Sequence, residues 1–142
     1  MPATTTREVI AHPQAGADAG GMWTALAFVI VGIIHLLPIA PVFAPDTLTR
    51  LYGIAPNDTA LLLLMRHRAL LLALVGLLCL WAAWSADIRP AAVRAAAINV
   101  AGFLGFYALY GSPAGALRII ALADLVAVPP LAFAAWVTFA RS

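Results

Sequence analysis

The sequence predicts an all-α integral membrane protein, an up-down-up-down bundle of four helices, and three observations lead there. Hydrophobic residues make up 64% of the 142-residue chain and charged residues 10%, with mean hydropathy +0.99. Soluble domains run to roughly 45–50% apolar and about 25% charged, so this composition excludes one. The apolar residues gather in four stretches, 21–43, 59–85, 90–110 and 116–140, each near the ~20 residues that a bilayer crossing needs. The connections after the second and third stretches are short, which forces neighbouring helices antiparallel. Four spans leave no room for a second domain.

Each element has its own signals. Residues 1–20 are polar, rich in Thr, Ala and Gly and without period, and read as a disordered tail. The first span runs over 21–43, and Pro38 and Pro41, which lack backbone donors, distort or end its far end. Val42-Phe43-Ala44 looks like a small-residue cleavage site, but the apolar run is longer than a signal-peptide core and Pro45 follows directly. Residues 45–53 read as a short surface helix, opened by proline and closed by glycine. Asn57, Asp58 and Thr59 supply cap chemistry for the second span. At ~1.5 Å per residue that span reaches ~40 Å, beyond the ~30 Å hydrocarbon core, so it must tilt or project. Pro90 suits the first turn of the third span. Gly111, Ser112, Pro113 and Gly115 make the next turn, and Pro129-Pro130 predict a kink in the fourth span. Ala95, Gly102 and Gly105 predict a close approach of the third helix to a neighbour.

All eight basic side chains are Arg and they are spread along the chain, which gives no nucleic-acid-binding face. Arg7, Arg89, Arg94 and Arg141 flank one side of the bundle. Arg50 and Arg118 flank the other, with Asp46 and Asp58. The positive-inside rule then puts both termini in the cytoplasm. The aromatic residues divide the same way: Trp23, Trp81, Trp84 and Trp136 fall at the cytoplasmic ends, and Tyr52, Tyr107 and Tyr110 at the opposite ends. Cys79 is the single cysteine, so no intrachain disulfide, cysteine-pair motif or cysteine-rich metal site is available.

Depth singles out the functional candidates. Counted from the non-cytoplasmic face, His35, the run Arg66-His67-Arg68 and Asp124 lie in one layer ~12–15 Å down, with Tyr107 and Tyr110 above it. An intramembrane Arg or Asp costs about 2.5–3.5 kcal/mol on insertion scales, so such a layer requires pairing or a polar ligand. One reading is structural: Asp124 bridges Arg66 or Arg68 and pins helix four to helix two. Successive helix positions differ by ~100°, so the two arginines cannot both face the axis squarely. A second reading pairs His35 with Asp124 as an acid/base dyad. In it Arg66, His67, Arg68, Tyr107, Tyr110 and Arg118 are binding residues. Asn99 reads as an interhelical hydrogen-bond donor. Ligation of a haem by two histidines is permitted by their depth. A metal site of His35, His67 and Asp124 is disfavoured by the adjacent arginines, which repel a cation.

The runs IIHLLPIAPVFAPDTLTRLYGIAPND, LLMRHRALLLALVGLL and RIIALADLVAV resemble small bacterial four-helix membrane proteins of DoxX-like type. The likeness covers residues 21–141, and its matching positions are His35, Tyr52-Gly53, Arg66-His67-Arg68 and Asp124. The resemblance implies the four-helix fold and, by analogy with membrane subunits of quinone-linked systems, a link to redox chemistry. Some proteins of this appearance bear the label phosphopantetheine adenylyltransferase, which does not suit this chain. That chemistry uses a soluble nucleotide fold with a His-x-Gly-His element, whereas His67 is followed by Arg68-Ala69-Leu70. A GxxxxGK[ST] phosphate loop is also excluded, since the chain has no Lys.

Three functions remain open. The first is a protein that binds or transforms a lipophilic small molecule with a polar head in an outer-leaflet site. The second is an accessory subunit of a larger membrane complex or a homo-oligomer. The third is a quinone- or haem-linked redox component. The residues name no reaction and no cofactor, and transport by a monomer of four short helices is disfavoured for want of an alternating-access path.

Overall fold

The computed structural model describes residues 15–39 and 58–140. The cleavage-like Val42-Phe43-Ala44, the surface helix at 45–53, Tyr52-Gly53, and Arg7, Arg50 and Arg141 lie outside the described residues. Four helices account for most of what is described: α1 (Ala15–Leu36), α2 (Thr59–Trp84), α3 (Arg89–Leu109) and α4 (Ala116–Ala140). All four are long and apolar enough to cross a membrane.

Local chemistry sets their ends. Helix α1 starts at Ala15, inside the segment expected to be tail. Its apolar stretch still starts at Gly21, so the first turns extend beyond the span. It tightens into a 3-10 turn at Leu37–Ile39, where Pro38 has no N–H for the helical ladder. Asp58 caps α2, its carboxylate accepting from the Leu61 N–H at 3.0 Å, and so satisfies one of the orphan donors of the first turn. Pro90 stands in the first turn of α3. The corner between α2 and α3 is held by Arg89, whose Nε donates to the Ala82 carbonyl at 3.1 Å while its guanidinium sits 6.0 Å from the Phe28 ring centre. Between α3 and α4 the chain turns through positive φ at Gly111, Ser112 and Gly115. There the Ser112 N–H donates to the Tyr107 carbonyl at 2.9 Å, closing off the end of α3. Helix α4 continues through Pro129 and Pro130 to Ala140.

Helices α1 and α3 each pack against both α2 and α4, which makes a four-membered ring. Adjacent members run antiparallel. Leu36 lies beside Gly76 and Leu80 beside Gly32; Arg68 lies over Phe103, and Arg94 over Phe139 at 5.1 Å.

The interior is made of small residues, among them Ala73, Ala82, Ala92, Ala96, Ala127 and Ala134, all buried. Apart from a few such as Phe28 and Leu131, the large residues point outward: Leu63 is 68% exposed, Ile98 75% and Val126 65%. A soluble protein distributes them the other way. In lipid, by contrast, helices gain most from close backbone approach, and large apolar side chains are at home outside. The chain is therefore a multi-pass membrane protein in contact with the bilayer.

The tightest approach corrects the sequence expectation. It joins α1 to α2 at Gly32 and Gly76, where a Cβ on Gly76 would stand 2.8 Å from the Gly32 carbonyl oxygen. At Gly102 and Gly105 an added Cβ would meet nothing within 4 Å. These α3 glycines face open space and make no close contact.

Candidate functional site

A cavity of about 180 Å³ lies among the four helices, towards the end that carries the turn between α3 and α4. Every helix contributes one polar side chain to its wall: His35 from α1, Arg68 from α2, Asn99 from α3 and Asp124 from α4. The remaining wall is apolar, including Ile34, Leu72, Phe103 and Ile120. Counting ~1.5 Å per residue from Thr59 and from Ala116, Arg68 and Asp124 sit at matching depths of roughly 12–14 Å.

His35 is placed by the inward face of α1, which also buries Thr24, Phe28 and Val31, a spacing of about one helical turn. It is 3% exposed. Its Nδ1 is 2.9 Å from the Val31 carbonyl oxygen, which can only accept, so Nδ1 carries the hydrogen. In the neutral imidazole this leaves Nε2 as an acceptor, the nitrogen free of the helix's own backbone. Arg68 lays its guanidinium over the Phe103 ring, 5.4 Å from the centre, an arrangement that stabilises a cation held away from water. His35 and Arg68 share the cavity wall with Asp124.

The structure thus brings together three of the expected residues and separates the others. Arg66 is half-buried, outside the cavity wall, with its Nε buried and without a hydrogen-bond partner among the described residues. His67 and Arg118 are exposed. Because His67 points away from the cavity that holds His35, the two histidines do not form a paired ligand set inside the bundle. No group of three or more potential metal-ligating His, Cys, Asp or Glu side chains occurs among the described residues. Tyr107 and Tyr110 line a separate cleft nearer the bundle end, where the Tyr107 hydroxyl donates to the Pro113 carbonyl at 3.0 Å.

Two further expectations change. Among the described residues Asp124 makes no ion pair within 4.0 Å with either arginine of α2 or with His35; all lie at or beside one cavity, Arg68 and His35 in its wall, so neither the simple staple nor a direct His35–Asp124 contact is formed. Asn99 makes no interhelical hydrogen bond among the described residues and instead lines the cavity. Phe103 escaped the sequence reading altogether, since an apolar residue in an apolar span carries no signal of its own.

Chemically the wall offers a permanent donor in Arg68, a donor and acceptor in Asn99, and acceptors in the His35 Nε2 and, when ionised, the Asp124 carboxylate. Groups gathered in a space of low dielectric strength act on each other and on a guest more strongly than they would in water. Comparison with known proteins finds no matching family model, no matching curated protein and no matching solved structure.

Proposed function

We propose that this protein binds a small lipophilic molecule through its polar head, which enters the cavity among His35, Arg68, Asn99 and Asp124. The observation that carries the reading is the convergence of four polar side chains, one per helix, on a single cavity with otherwise apolar walls. A bundle that needed only cohesion would close Asp124 directly on an arginine, because an unpaired charge at this depth is costly. Leaving the groups spread around a cavity favours a guest. His35 and Asp124 serve as its acid/base pair if the head is chemically transformed.

The DoxX-like assignment belongs to the same proposal. Of the positions that carry the resemblance, His35, Arg68 and Asp124 are the ones at the cavity wall. So does placement in the bacterial inner membrane with both termini cytoplasmic, supported by Arg89 and Arg94 and by the exposed Trp81, Trp84 and Trp136 gathered at one end. Cysteines introduced at Asp87 and at Ser112, in a Cys79→Ala background, test the orientation. A membrane-impermeant maleimide should label the Ser112 position from outside and the Asp87 position only after lysis, and the reverse pattern overturns it.

Binding is tested by mass spectrometry of lipophilic molecules that co-purify with the wild-type chain and with Arg68→Gln and Asp124→Asn. The proposal expects one class enriched over bulk lipid in the wild type and depleted at least tenfold in the variants. Identical profiles in all three would overturn it.

A further inference from the structure

The polar cavity has a neighbour. Between the end of α3 and the start of α4 lies a cleft of about 210 Å³, walled by Phe103, Phe106, Tyr107, Tyr110, Pro113 and Leu117. Phe103 stands in the wall of both spaces. A column of stacked groups crosses this shared wall: the Arg68 guanidinium lies 5.4 Å from the Phe103 ring centre, and the Phe103 ring lies 6.2 Å from Tyr107 with the two planes 17° apart. It starts at the polar cavity and finishes in the aromatic cleft.

The cleft is apolar despite its two tyrosines. The Tyr107 hydroxyl is turned onto the Pro113 carbonyl, so its ring faces the space and its polar atom is already satisfied. The cleft is open on its outer side, where Phe106 is 64% exposed and Tyr110 78%, and the nearby Gly102 and Gly105 leave α3 bare.

We infer that the cleft is the tail subsite of the cavity. A single amphipathic molecule sets its head among His35, Arg68, Asn99 and Asp124, crosses Phe103, and lays a flexible hydrocarbon chain against Phe106, Tyr107 and Leu117. The inference rests on the proposed binding function and adds the ligand's class. Arg68 and Asp124 bear opposite formal charges, so the two offset each other and an uncharged head fits better than an anion. Arg68 and Asn99 supply donors, and the His35 Nε2 and Asp124 supply acceptors. The complementary head therefore offers both acceptors and O–H donors, as the ester carbonyl and two hydroxyls of a monoacylglycerol do, and a head that lacks O–H donors leaves the buried His35 without a partner for Nε2.

The test uses the full chain in detergent and a monoacylglycerol with a diazirine midway along its acyl chain, photolysed and mapped by mass spectrometry. Adducts are expected to concentrate on residues 103–117. Unlabelled monoacylglycerol should compete them away, an alkane of the same length should not, and Arg68→Gln should reduce them at least tenfold. The wild-type competition needs no variant to fold. Adducts that depend on Arg68 but scatter over exposed α2 residues such as Leu63 and Leu74 would overturn the tail subsite and leave the polar cavity as the head site. Adducts indifferent to both competitor and Arg68→Gln would overturn the subsite and the monoacylglycerol class, and the binding function falls with them only if the co-purification profiles of wild type and variants are also identical.

Discussion

The Arg68 guanidinium rests over the face of Phe103, 5.4 Å from the ring centre, joining α2 to α3 at the wall of the polar cavity. A planar cation on an aromatic face in a water-poor setting contributes about 0.5–2 kcal/mol, and the flat guanidinium does this better than an ammonium. Phe103→Leu should therefore lower stability in detergent by about 1–2 kcal/mol. A double-mutant cycle with Arg68→Gln should give a coupling of at least ~0.5 kcal/mol. Additive losses would show that the stack contributes nothing.

Asp124 shares the cavity wall with Arg68 and His35 and, among the described residues, makes no ion pair within 4.0 Å with either arginine of α2. Asp124→Asn combined with Arg68→Gln should depart from additivity by about 0.5–1.5 kcal/mol in thermal unfolding. Combined with Arg66→Gln it should add within about 0.5 kcal/mol, as independent sites do. Coupling to Arg66 in place of Arg68 would contradict the arrangement of α2 described above.

Gly76 leaves no room for a methyl group, since its Cβ would meet the Gly32 carbonyl oxygen at 2.8 Å and the Leu36 side chain at 2.9 Å. Gly76→Ala should destabilise the bundle by about 1–3 kcal/mol, the usual cost of overpacking. Gly102→Ala, with nothing within 4 Å, should be neutral or stabilising by up to about 1 kcal/mol, because alanine favours helix over glycine. Unfolding curves of the two variants decide the point. Equal effects would mean that α1 and α2 do not approach as described.

The contrast between these glycines shows how far the sequence could be read. Caps and breakers act locally, and so Asp58 and Pro90 mark helix starts that the structure places within a residue of expectation, whereas α1 gives way to a 3-10 turn around Pro38, short of the expected residue 43. Which way each helix faces is another matter. In lipid both the packed and the outward faces are apolar, the helices carry no strong polar side, and the periodicity that orients a helix in a soluble protein is missing. Gly102 and Gly105 therefore look like interface glycines while Gly32 and Gly76 take that role. Arg66 and Arg68, two positions apart, could not be told apart by sequence. Depth was legible because it needs only a residue count. His35, Arg68 and Asp124 were accordingly found in one layer, whereas Asn99 and Phe103 joined the site only through three-dimensional packing.

The central claim is that the cavity holds a guest, and His35 tests it most directly. It is buried, its Nδ1 is already satisfied by Val31, and it is the cavity residue least needed to balance charge between Arg68 and Asp124. The measurement is retention of co-purified lipophilic molecules by His35→Ala, read beside its thermal unfolding in detergent. The account predicts a variant that inserts and melts close to the wild type but has lost at least nine-tenths of the enriched molecule. A variant that melts like the wild type and retains the same molecules in the same amounts would contradict it.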